Sequence, residues 1–397
     1  MRIVEAVCPR SGTSSYTHQP GTWAAGKRGS AGHECSRLVQ SERNSGLLSP
    51  SNLNSRFEPS NPPMKIAFFE LEEWEKAKLS NGLLEGHDVR LSTDPLVERT
   101  LDQAKDADIV SVFIHSSLNY TNLALLPSLK FVATRSTGYD HIDLVYCHER
   151  GISISNVPSY GENTVAEHTF ALILALSRNI HKAFVHTLAK DVPFRDLRGF
   201  DLAGKTLGVI GAGRIGLHTI KIAKGFGMRV VAFDTSHAPL LEEVLNFHYV
   251  PLDELLAISD IISFHCPYSP ATHHLINLEN VRRIKRGALL INTARGGLID
   301  PSALTLALDE GIVAGAGLDV LEGEDLLKDE RQILAQPLTQ DKLRTLLLNH
   351  SLLNRDNVVI TPHIGFNSVE AVERIMATTL DNLYAYLNGA PQNLVKG

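Results

Sequence analysis

Short apolar runs alternate with longer amphipathic stretches from residue 64 to the end of the chain. The runs are rich in Val, Ile, Phe and Ala, which is typical of buried strands. Helical or turn stretches separate them, and this alternation predicts parallel sheets covered by helices. Strands are predicted at 65–69, 88–91, 108–114, 131–134, 153–155, 207–210, 229–233, 261–265, 288–292, 313–318 and 358–361.

Two stretches predict long helices. The first, 163–180, begins at an asparagine suited to capping and is apolar almost all round. Such a helix must be buried, between domains or against a second subunit, so we predict a hinge helix that forms a homodimer. The second, 368–387, has apolar residues at three- to four-residue spacing and is too small to be a domain. We expect it to return and pack on the first domain.

These patterns predict an α/β fold with two Rossmann-like, doubly wound parallel-sheet domains. The catalytic domain is predicted to be discontinuous, formed by 64–162 and 362–397, and the nucleotide-binding domain to span 163–361. Residues 1–63 are rich in Ser, Gly, Asn and Pro, which predicts a disordered leader. The sequence changes abruptly to an apolar strand at Met64, which we expect to be the functional start. A transit peptide is the alternative, disfavoured by Glu5, Glu34, Glu42 and Glu58.

A dinucleotide-binding pattern lies between the predicted strands 207–210 and 229–233. Gly211, Gly213 and Gly216 form G-x-G-x-x-G, and Asp234 follows 18 positions past the last glycine. The first glycine permits a tight turn, the second lets the backbone approach a pyrophosphate, and the third allows close packing of helix on strand. The phosphates then face the positive end of the helix. Asp234 is suited to bind ribose hydroxyls and repels a 2′-phosphate, and no arginine follows it directly, so NAD is favoured over NADP.

Composition excludes several classes of protein. The chain has 397 residues with 43% apolar content, which is enough for two or more domains. A net charge of −6 with mixed signs argues against a nucleic-acid surface. No apolar run approaches the roughly 18 residues needed to cross a membrane. The four cysteines form no C-x-x-C pair, which predicts free thiols in a reducing cytoplasm. Adjacent His273 and His274 lack the four-residue spacing of a helical ligand pair, so no metal site is predicted.

Three predicted strand ends carry reactive side chains, and ligands bind where such strand ends meet. Reduction of a small 2-keto acid needs a cation for the carboxylate, ideally the planar fork of an arginine. It also needs an acid–base group that titrates near neutrality, and a carboxylate that orients it. Arg295, Glu324 and His363 are the candidates for these roles. Each residue alone is as often structural as catalytic, and it is their joint appearance that carries the prediction.

Six short motifs occur together with the glycine pattern, in a fixed order. They are Asn156-Val157-Pro158, residues 163–168 (NTVAEH), His265-Cys266-Pro267, residues 292–296 (NTARG), residues 319–324 (DVLEGE) and Pro362-His363. From Met64 to the C-terminus the chain resembles the D-isomer-specific 2-hydroxyacid dehydrogenase family, and within it the D-lactate dehydrogenase branch. The resemblance implies a catalytic domain and an NAD domain with the substrate in the cleft between them.

The resemblance also implies residue roles. Arg295 binds the substrate carboxylate and polarises the carbonyl, His363 donates the proton, and Glu324 pairs with His363. The backbone N–H groups of Thr137 and Gly138 hold the carboxylate. The pocket is lined by Tyr160 and by Phe113, which stands where that branch can carry a tyrosine. The residues implied at the cofactor, beyond the glycines and Asp234, are Arg214 and Ile215 at the pyrophosphate, Cys266, Pro267 and Thr272 near the adenine, and Thr293, Ala294 and Asp319 near the nicotinamide.

The predicted activity is hydride transfer between NADH and a small 2-keto acid, with pyruvate and D-lactate preferred. One alternative is a sister enzyme for glyoxylate, hydroxypyruvate or a bulkier keto acid, because pocket size decides between these substrates. The other is an NAD-sensing corepressor-type binding protein on the same fold, since fold does not fix function.

Overall fold

The structure, a computed structural model, describes residues 62–395 except 83, 191–196 and 325–338. The predicted leader therefore lies outside the described residues, apart from its last two. Cys8 and Cys35 lie outside them as well, whereas Cys147 and Cys266 are free thiols.

The first sheet has five parallel strands in the order β2-β1-β3-β4-β5. The strands are β1 (Lys65–Phe68), β2 (Asp88–Leu91), β3 (Ile109–Val112), β4 (Phe131–Thr134) and β5 (Ser153–Ser155). Its connections contain the helices α1 (Glu73–Leu79), α2 (Tyr120–Ala124) and α3 (Leu144–Glu149) and the 3₁₀ turn Glu98–Gln103. All residues of β3 and β4 are buried, because helices and loops cover both faces of the central strands.

The second sheet has seven parallel strands in the order β12-β11-β10-β9-β6-β7-β8. The strands are β6 (Thr206–Ile210), β7 (Arg229–Phe233), β8 (His248–Tyr249), β9 (Ile261–Phe264), β10 (Ala288–Asn292), β11 (Val313–Leu318) and β12 (Val358–Ile360). The order reverses between β6 and β9, as in Rossmann folds, where the cofactor binds at this point.

Helices cover both faces of the second sheet. They include α6 (Arg214–Gly225), α7 (Pro239–Leu245), α8 (Leu252–Ile258), α9 (Pro301–Asp309) and α10 (Gln340–Leu353), with 3₁₀ turns at Val281–Arg283 and Gly296–Leu298. The predicted strand positions agree with the observed ones to within one or two residues at each end. The exception is β8, whose two residues give no periodic signal.

The predicted helix 163–180 is wrong in its bounds. It begins one residue earlier as α4 (Glu162–Ser177), and its N-cap is Gly161 rather than an asparagine. The chain then turns at Asn179, which has a left-handed backbone (φ 51°), and continues as α5 (Ile180–Leu188). Asparagine tolerates this conformation, and one such residue ends a helix without disturbing the apolar pattern. The apolar face of α4 packs within its own chain, on the cluster around Leu207 and Ile291.

The last helix, α11 (Val369–Leu387), packs on the first sheet. Ser368 caps it by accepting a hydrogen bond from the backbone N–H of Ala371. Its buried residues Met376 and Leu383 join the cluster around Phe131. The first sheet is thus completed by residues from the far end of the chain. The two sheets belong to one compact unit, so the domain boundaries remain a prediction. In the part of the chain that is described, no helix is both long and apolar enough to span a bilayer.

Candidate active site

A cavity of about 560 Å³ lies at the carboxyl ends of strands from both sheets. This volume is in the usual range for small-molecule sites. Among the predicted site residues, those that line it are Phe113, Thr137, Gly138, Tyr160, Arg214, Ile215, Cys266, Pro267, Thr293, Ala294, Arg295, Asp319 and His363. Residues predicted at the site that do not line it are Gly211, Gly213, Gly216, Asp234, Thr272 and Glu324. Parallel topology brings the lining residues together, because each follows the end of a strand.

The three glycines after β6 have different structural surroundings. Gly211 has φ 96°, and a Cβ atom there would lie 2.5 Å from the backbone nitrogen of Cys266. A Cβ on Gly216 would lie 2.1 Å from the carbonyl oxygen of Gly211. A Cβ on Gly213 would meet no atom within 4 Å. The fold therefore requires the first and third glycines, whereas Gly213 leaves open space at the start of α6, where a phosphate can approach.

Asp234 stands at the carboxyl end of β7 and is fixed by backbone groups. One of its carboxylate oxygens accepts a hydrogen bond from the N–H of Ala212 (2.7 Å) and the other from the N–H of Ser236 (2.9 Å). These contacts aim the carboxylate beside the glycine turn. A fixed negative charge at this point disfavours a 2′-phosphate and suits a free ribose.

The loop after β9 forms the wall predicted to contact the adenine. Cys266 lies against the cavity, and burial raises the pKa of its thiol to about 11. The thiol is therefore neutral and serves as an apolar wall. Thr272 lies behind this wall. Its hydroxyl donates to the carbonyl of Pro267 (2.8 Å) and accepts from the N–H of Ser269 (2.8 Å), so it shapes the loop.

His363 and Glu324 form a close pair beside the cavity. His363 Nδ1 and Glu324 Oε1 lie 2.9 Å apart, and both side chains are mostly buried. The carboxylate fixes the ring through Nδ1 and leaves Nε2 as the nitrogen that can exchange a proton with a ligand. His363 also has a left-handed backbone (φ 56°), a costly conformation that persists only where neighbouring contacts enforce it.

Asp319 supplies those contacts. Its carboxylate accepts hydrogen bonds from the backbone N–H groups of Ile364 (2.9 Å) and Gly365 (2.8 Å) and from the hydroxyl of Thr361 (2.5 Å). Burial would raise the pKa of Asp319, but these bonds and one from His168 together hold that pKa below its usual value. Asp319 was predicted to contact the cofactor. It lines the cavity, and in addition it fastens the loop that carries His363.

Arg295 follows β10, and its guanidinium lies against the loop after β4. Its Nε donates to Asp140 Oδ2 (2.9 Å), and Nη1 donates to the carbonyl of Ala294 (2.8 Å). Nη2 lies against Gly138, where an added Cβ would be only 1.8 Å away. Gly138 is therefore required for the guanidinium to reach the loop. An anion that binds here would meet the arginine fork and the backbone of this loop together.

The loop after β4 is held rigidly around Thr137. The hydroxyl of Thr137 donates to the carbonyl of Val157 (2.7 Å), and its own carbonyl accepts from the side-chain amide of Asn156 (2.8 Å). Tyr160 lies nearby, and burial raises the pKa of its phenol to about 12. Tyr160 is therefore protonated at physiological pH and can donate a hydrogen bond into the cavity.

Aromatic rings close the end of the cavity near His363. Phe113 and Phe366 pack edge to face, with centroids 5.1 Å apart. The Phe366 ring also lies 6.5 Å from the His363 ring. The hydroxyls of Thr293 and Thr169 lie 2.9 Å apart, and this contact orients Thr293, which also lines the cavity. The cavity thus has one apolar end and one cationic wall.

A second histidine, His265, lines the cavity, and its environment excludes it as an acid. Burial lowers the pKa of His265 to about 3, and Ser263 Oγ lies 2.8 Å from its Nε2. Burial likewise lowers the pKa of nearby His141 to about 4. Both rings are neutral at physiological pH. Among the described histidines that line the cavity, His363 is therefore the remaining candidate for proton transfer.

The comparisons with known proteins agree with this geometry. Residues 170–365 match the family model described as the NAD-binding domain of D-isomer-specific 2-hydroxyacid dehydrogenases. The D-lactate dehydrogenase of Escherichia coli is 34% identical over 324 residues, which are 81% of this chain and 96% of that protein. A glyoxylate reductase of Korarchaeum cryptofilum is 36% identical over 300 residues, 74% of this chain and 84% of that protein. The chain belongs to the D-isomer-specific 2-hydroxyacid dehydrogenase family.

Solved structures give the same result. The D-lactate dehydrogenase of Aquifex aeolicus, determined with NAD and lactic acid, superimposes with a TM-score of 0.73 at 35% identity. The superposition covers 82% of this chain and 96% of that one. Three predictions are thereby confirmed: the family, the α/β fold with two parallel sheets, and NAD as the cofactor. The family membership supports NAD-dependent 2-hydroxyacid dehydrogenase activity.

The residues present fit NAD as this family uses it. Gly213 leaves room for a pyrophosphate at the start of α6, and Arg214 and Ile215 line the cavity beside it. Asp234 presents a fixed carboxylate for the ribose, and Thr293 and Ala294 line the same cavity as His363. These positions agree with the sequence-based roles, which remain predictions for each residue taken singly.

The different surroundings of the glycines give a testable contrast between two alanine variants. Gly213→Ala is expected to leave the melting temperature unchanged and to raise the Kd for NADH at least tenfold, because the methyl group occupies only the space left for phosphate. Gly216→Ala is expected to destabilise the fold by about 1–3 kcal/mol, because its methyl group collides with backbone. Thermal unfolding and NADH fluorescence titration measure both effects. Equal destabilisation by the two substitutions would contradict this account.

Sequence reasoning missed three residues of the site in this dehydrogenase. Phe366 was not singled out, although it follows His363 by three positions. Asp140 was not singled out, although it follows Gly138 by two. His168 ends the 163–168 motif but was given no role of its own, and its Nε2 lies 3.0 Å from Thr361 Oγ1 and 3.3 Å from Asp319 Oδ1. It therefore links α4 to the network that supports the loop carrying His363.

Proposed function

We propose that the protein reduces pyruvate to D-lactate with NADH. One observation supports this most directly. Arg295 and His363 line one cavity, at the carboxyl end of the sheet that carries the glycine turn, and Glu324 pairs with His363. A cation, an imidazole held by a carboxylate and a nucleotide site at one cavity are what the reduction of a 2-keto acid requires.

The substrate carboxylate would bind between Arg295 and the loop at Thr137 and Gly138. Asp140 and the Ala294 carbonyl hold the guanidinium at Nε and Nη1, so its orientation is set before the substrate arrives. Pre-orientation of this kind lowers the entropic cost of aligning the keto carbon. Tyr160, which keeps its proton, can donate to the substrate from the opposite wall.

His363 would act as the acid. Bound NADH supplies the hydride to the carbonyl carbon. As negative charge develops on the carbonyl oxygen, the imidazolium of His363 transfers its Nε2 proton to that oxygen. Glu324 stabilises the imidazolium and holds the ring through Nδ1. One hydride and one proton convert the keto acid into the hydroxy acid, and His363 is left neutral until it takes up a proton from solvent.

Pocket shape favours pyruvate over larger keto acids. Phe113 and Phe366 pack against each other at the apolar end, and Tyr160, which is partly buried, lines the same cavity. A methyl group fits against such a wall, whereas a phenyl or branched group has to displace a ring. Glyoxylate and hydroxypyruvate are the strongest rival substrates, since both are small. The relatives include a glyoxylate reductase as well as a D-lactate dehydrogenase.

The proposal is tested by comparing kcat/KM for pyruvate, glyoxylate, hydroxypyruvate and phenylpyruvate with NADH. We expect pyruvate to exceed phenylpyruvate at least tenfold, since size differences in apolar pockets are worth about that much or more. A higher value for glyoxylate or hydroxypyruvate would assign the protein to a sister reductase. Binding of NADH without turnover of any of the four acids would support the corepressor-type alternative.

The protein is further proposed to form a homodimer through the α4–α5 region. The structure places exposed apolar side chains on α5 rather than on α4. Ile180 is 55% exposed, Phe184 64%, Val185 62% and Leu188 69%. Four such residues on one short helix leave an apolar surface that a second copy can cover.

Phe184→Glu is expected to convert the dimer into a monomer, because it buries a charge in the proposed interface. Light scattering should give about twice the chain mass of 43.5 kDa for the wild-type protein and the single-chain mass for the variant. Val244→Glu is the matched control, since Val244 is 68% exposed on α7. A wild-type monomer, or a dimer that survives Phe184→Glu, would contradict the proposal.

The site residues also support the proposed division into domains. Phe113, Thr137 and Tyr160 come from 64–162, and the glycine turn and Arg295 come from 163–361. His363 lies just inside the second part of the catalytic domain, 362–397. A reducing cytoplasm is the proposed location, since Cys147 and Cys266 are free.

A further inference from the structure

A cluster of metal-ligating side chains lies next to the active site and takes no part in the proposed reaction. His273 and His274 come from the turn after β9, and Glu322 comes from the loop after β11. The possible ligand atoms of the three side chains all lie within 4.8 Å of one another. His274 Nε2 and Glu322 Oε2 are the closest pair, 2.8 Å apart.

The backbone of His274 makes this cluster possible. His274 is in the left-handed region (φ 49°), which is costly for a residue with a side chain. The neighbouring rings consequently stack on the same side of the chain, with centroids 3.8 Å apart and planes inclined by 24°. The sequence-based argument against a metal site assumed a helix, on which adjacent side chains diverge. The two histidines lie in a turn, so that argument does not apply to them.

A further contact selects the nitrogen that is available on His273. The Tyr268 hydroxyl lies 3.1 Å from His273 Nδ1, which leaves Nε2 for a metal. A hydrogen bond at one ring nitrogen that orients the other toward a metal is a common feature of histidine sites. On the other loop, the side-chain amide of Asn349 donates to the Glu322 carbonyl (2.8 Å) and fixes the backbone of the third ligand.

We propose that His273, His274 and Glu322 form a binding site for a divalent transition metal such as Zn²⁺. Two imidazoles and one carboxylate are a common ligand set for this ion, with a fourth position left for water. Bond lengths of about 2.0–2.2 Å require the ligand atoms to draw closer than they now lie. His273 is exposed, so its ring has room to turn out of the stack with His274 and bring the ligand atoms together. A bound ion would join the turn after β9 to the loop that also carries Glu324.

The test is titration of the metal-free, full-length protein with Co²⁺, followed by displacement with Zn²⁺. Bound tetrahedral Co²⁺ absorbs visible light, so the readout is independent of enzyme activity. We expect one Co²⁺ per chain at this site, displaced by Zn²⁺, and at least a tenfold weaker affinity in both His273→Asn and Glu322→Gln. His248→Asn is the control, because His248 forms a similar pair with Glu242 (3.3 Å) but belongs to no three-ligand cluster among the described residues.

His273→Asn alters an exposed side chain, so it tests the proposal even if Glu322→Gln fails to fold. Circular dichroism and NADH binding establish that each variant is native. If the wild-type protein binds no Co²⁺ at millimolar concentration, the proposal is wrong. It is also wrong if His273→Asn binds Co²⁺ as tightly as the wild-type protein does.

Discussion

Asparagine in place of His363 is expected to reduce kcat/KM for NADH-dependent pyruvate reduction by roughly 10²- to 10⁴-fold, the usual contribution of a positioned acid. The described part of the cavity offers no substitute histidine, because burial lowers the pKa of His265 to about 3. Asparagine also cannot supply a proton to the developing alkoxide. Initial rates at several pyruvate concentrations, with NADH saturating, measure the effect.

Two companion variants show whether the loss at His363 is chemical. Glu324→Gln keeps the size of the side chain but removes the charge that stabilises the imidazolium, so a smaller loss is expected. His248→Asn removes an exposed histidine that does not line the cavity, so this variant should leave the rate unchanged. NADH affinity should be the same in all three variants. A loss of less than tenfold in His363→Asn would show that another group is the acid.

Substitution of Arg295 by glutamine is expected to lower kcat/KM for pyruvate by roughly 10²- to 10³-fold or more, with a large increase in KM. The guanidinium supplies both the charge that neutralises the carboxylate and a donor close to the reacting carbonyl. Glutamine keeps hydrogen-bonding capacity but loses the charge and the planar fork. Steady-state kinetics with pyruvate separate the effects on KM and kcat.

The Arg295→Lys variant distinguishes charge from geometry. Lysine keeps the positive charge, but as a compact ammonium group on a flexible chain. This group cannot contact Asp140, Ala294 and the loop at Gly138 at the same time, as the guanidinium does. It should therefore recover only part of the activity lost in the glutamine variant. Arg295 is partly exposed, so neither substitution should change the melting temperature greatly. An unchanged KM in the glutamine variant would remove Arg295 from the carboxylate site.

Much of the nucleotide-binding half could be predicted because its signals are local. The G-x-G-x-x-G turn, the strand before it and Asp234 all lie within a single β-α-β unit. The catalytic candidates could be predicted for a related reason. Each lies just after an apolar run, and parallel topology brings such positions to one edge of a sheet. The roles assigned to them in the reaction still depend on experiments such as those above.

The features that sequence reasoning missed depend on the backbone angle of a single residue or on contacts between residues far apart in the sequence. The break at Asn179 comes from one left-handed residue, which leaves the apolar periodicity of its neighbours intact. The Asp140–Arg295 ion pair joins residues 155 positions apart, and nothing near either residue specifies the other. The His273–His274 stack depends in the same way on the left-handed backbone of His274.

The packing of α11 on the first sheet has a consequence for biosynthesis. Phe131 stacks on Tyr386 with centroids 4.1 Å apart, and Met376 lies in the same cluster as Phe131. A ribosome that adds about 5–20 residues per second needs on the order of ten to fifty seconds between these segments. Throughout that interval the apolar face of the first sheet that α11 will cover stays exposed to solvent. Chaperones bind exposed apolar surfaces of this kind. Loss of the last helix, for instance through a late nonsense codon, would leave this apolar face permanently exposed.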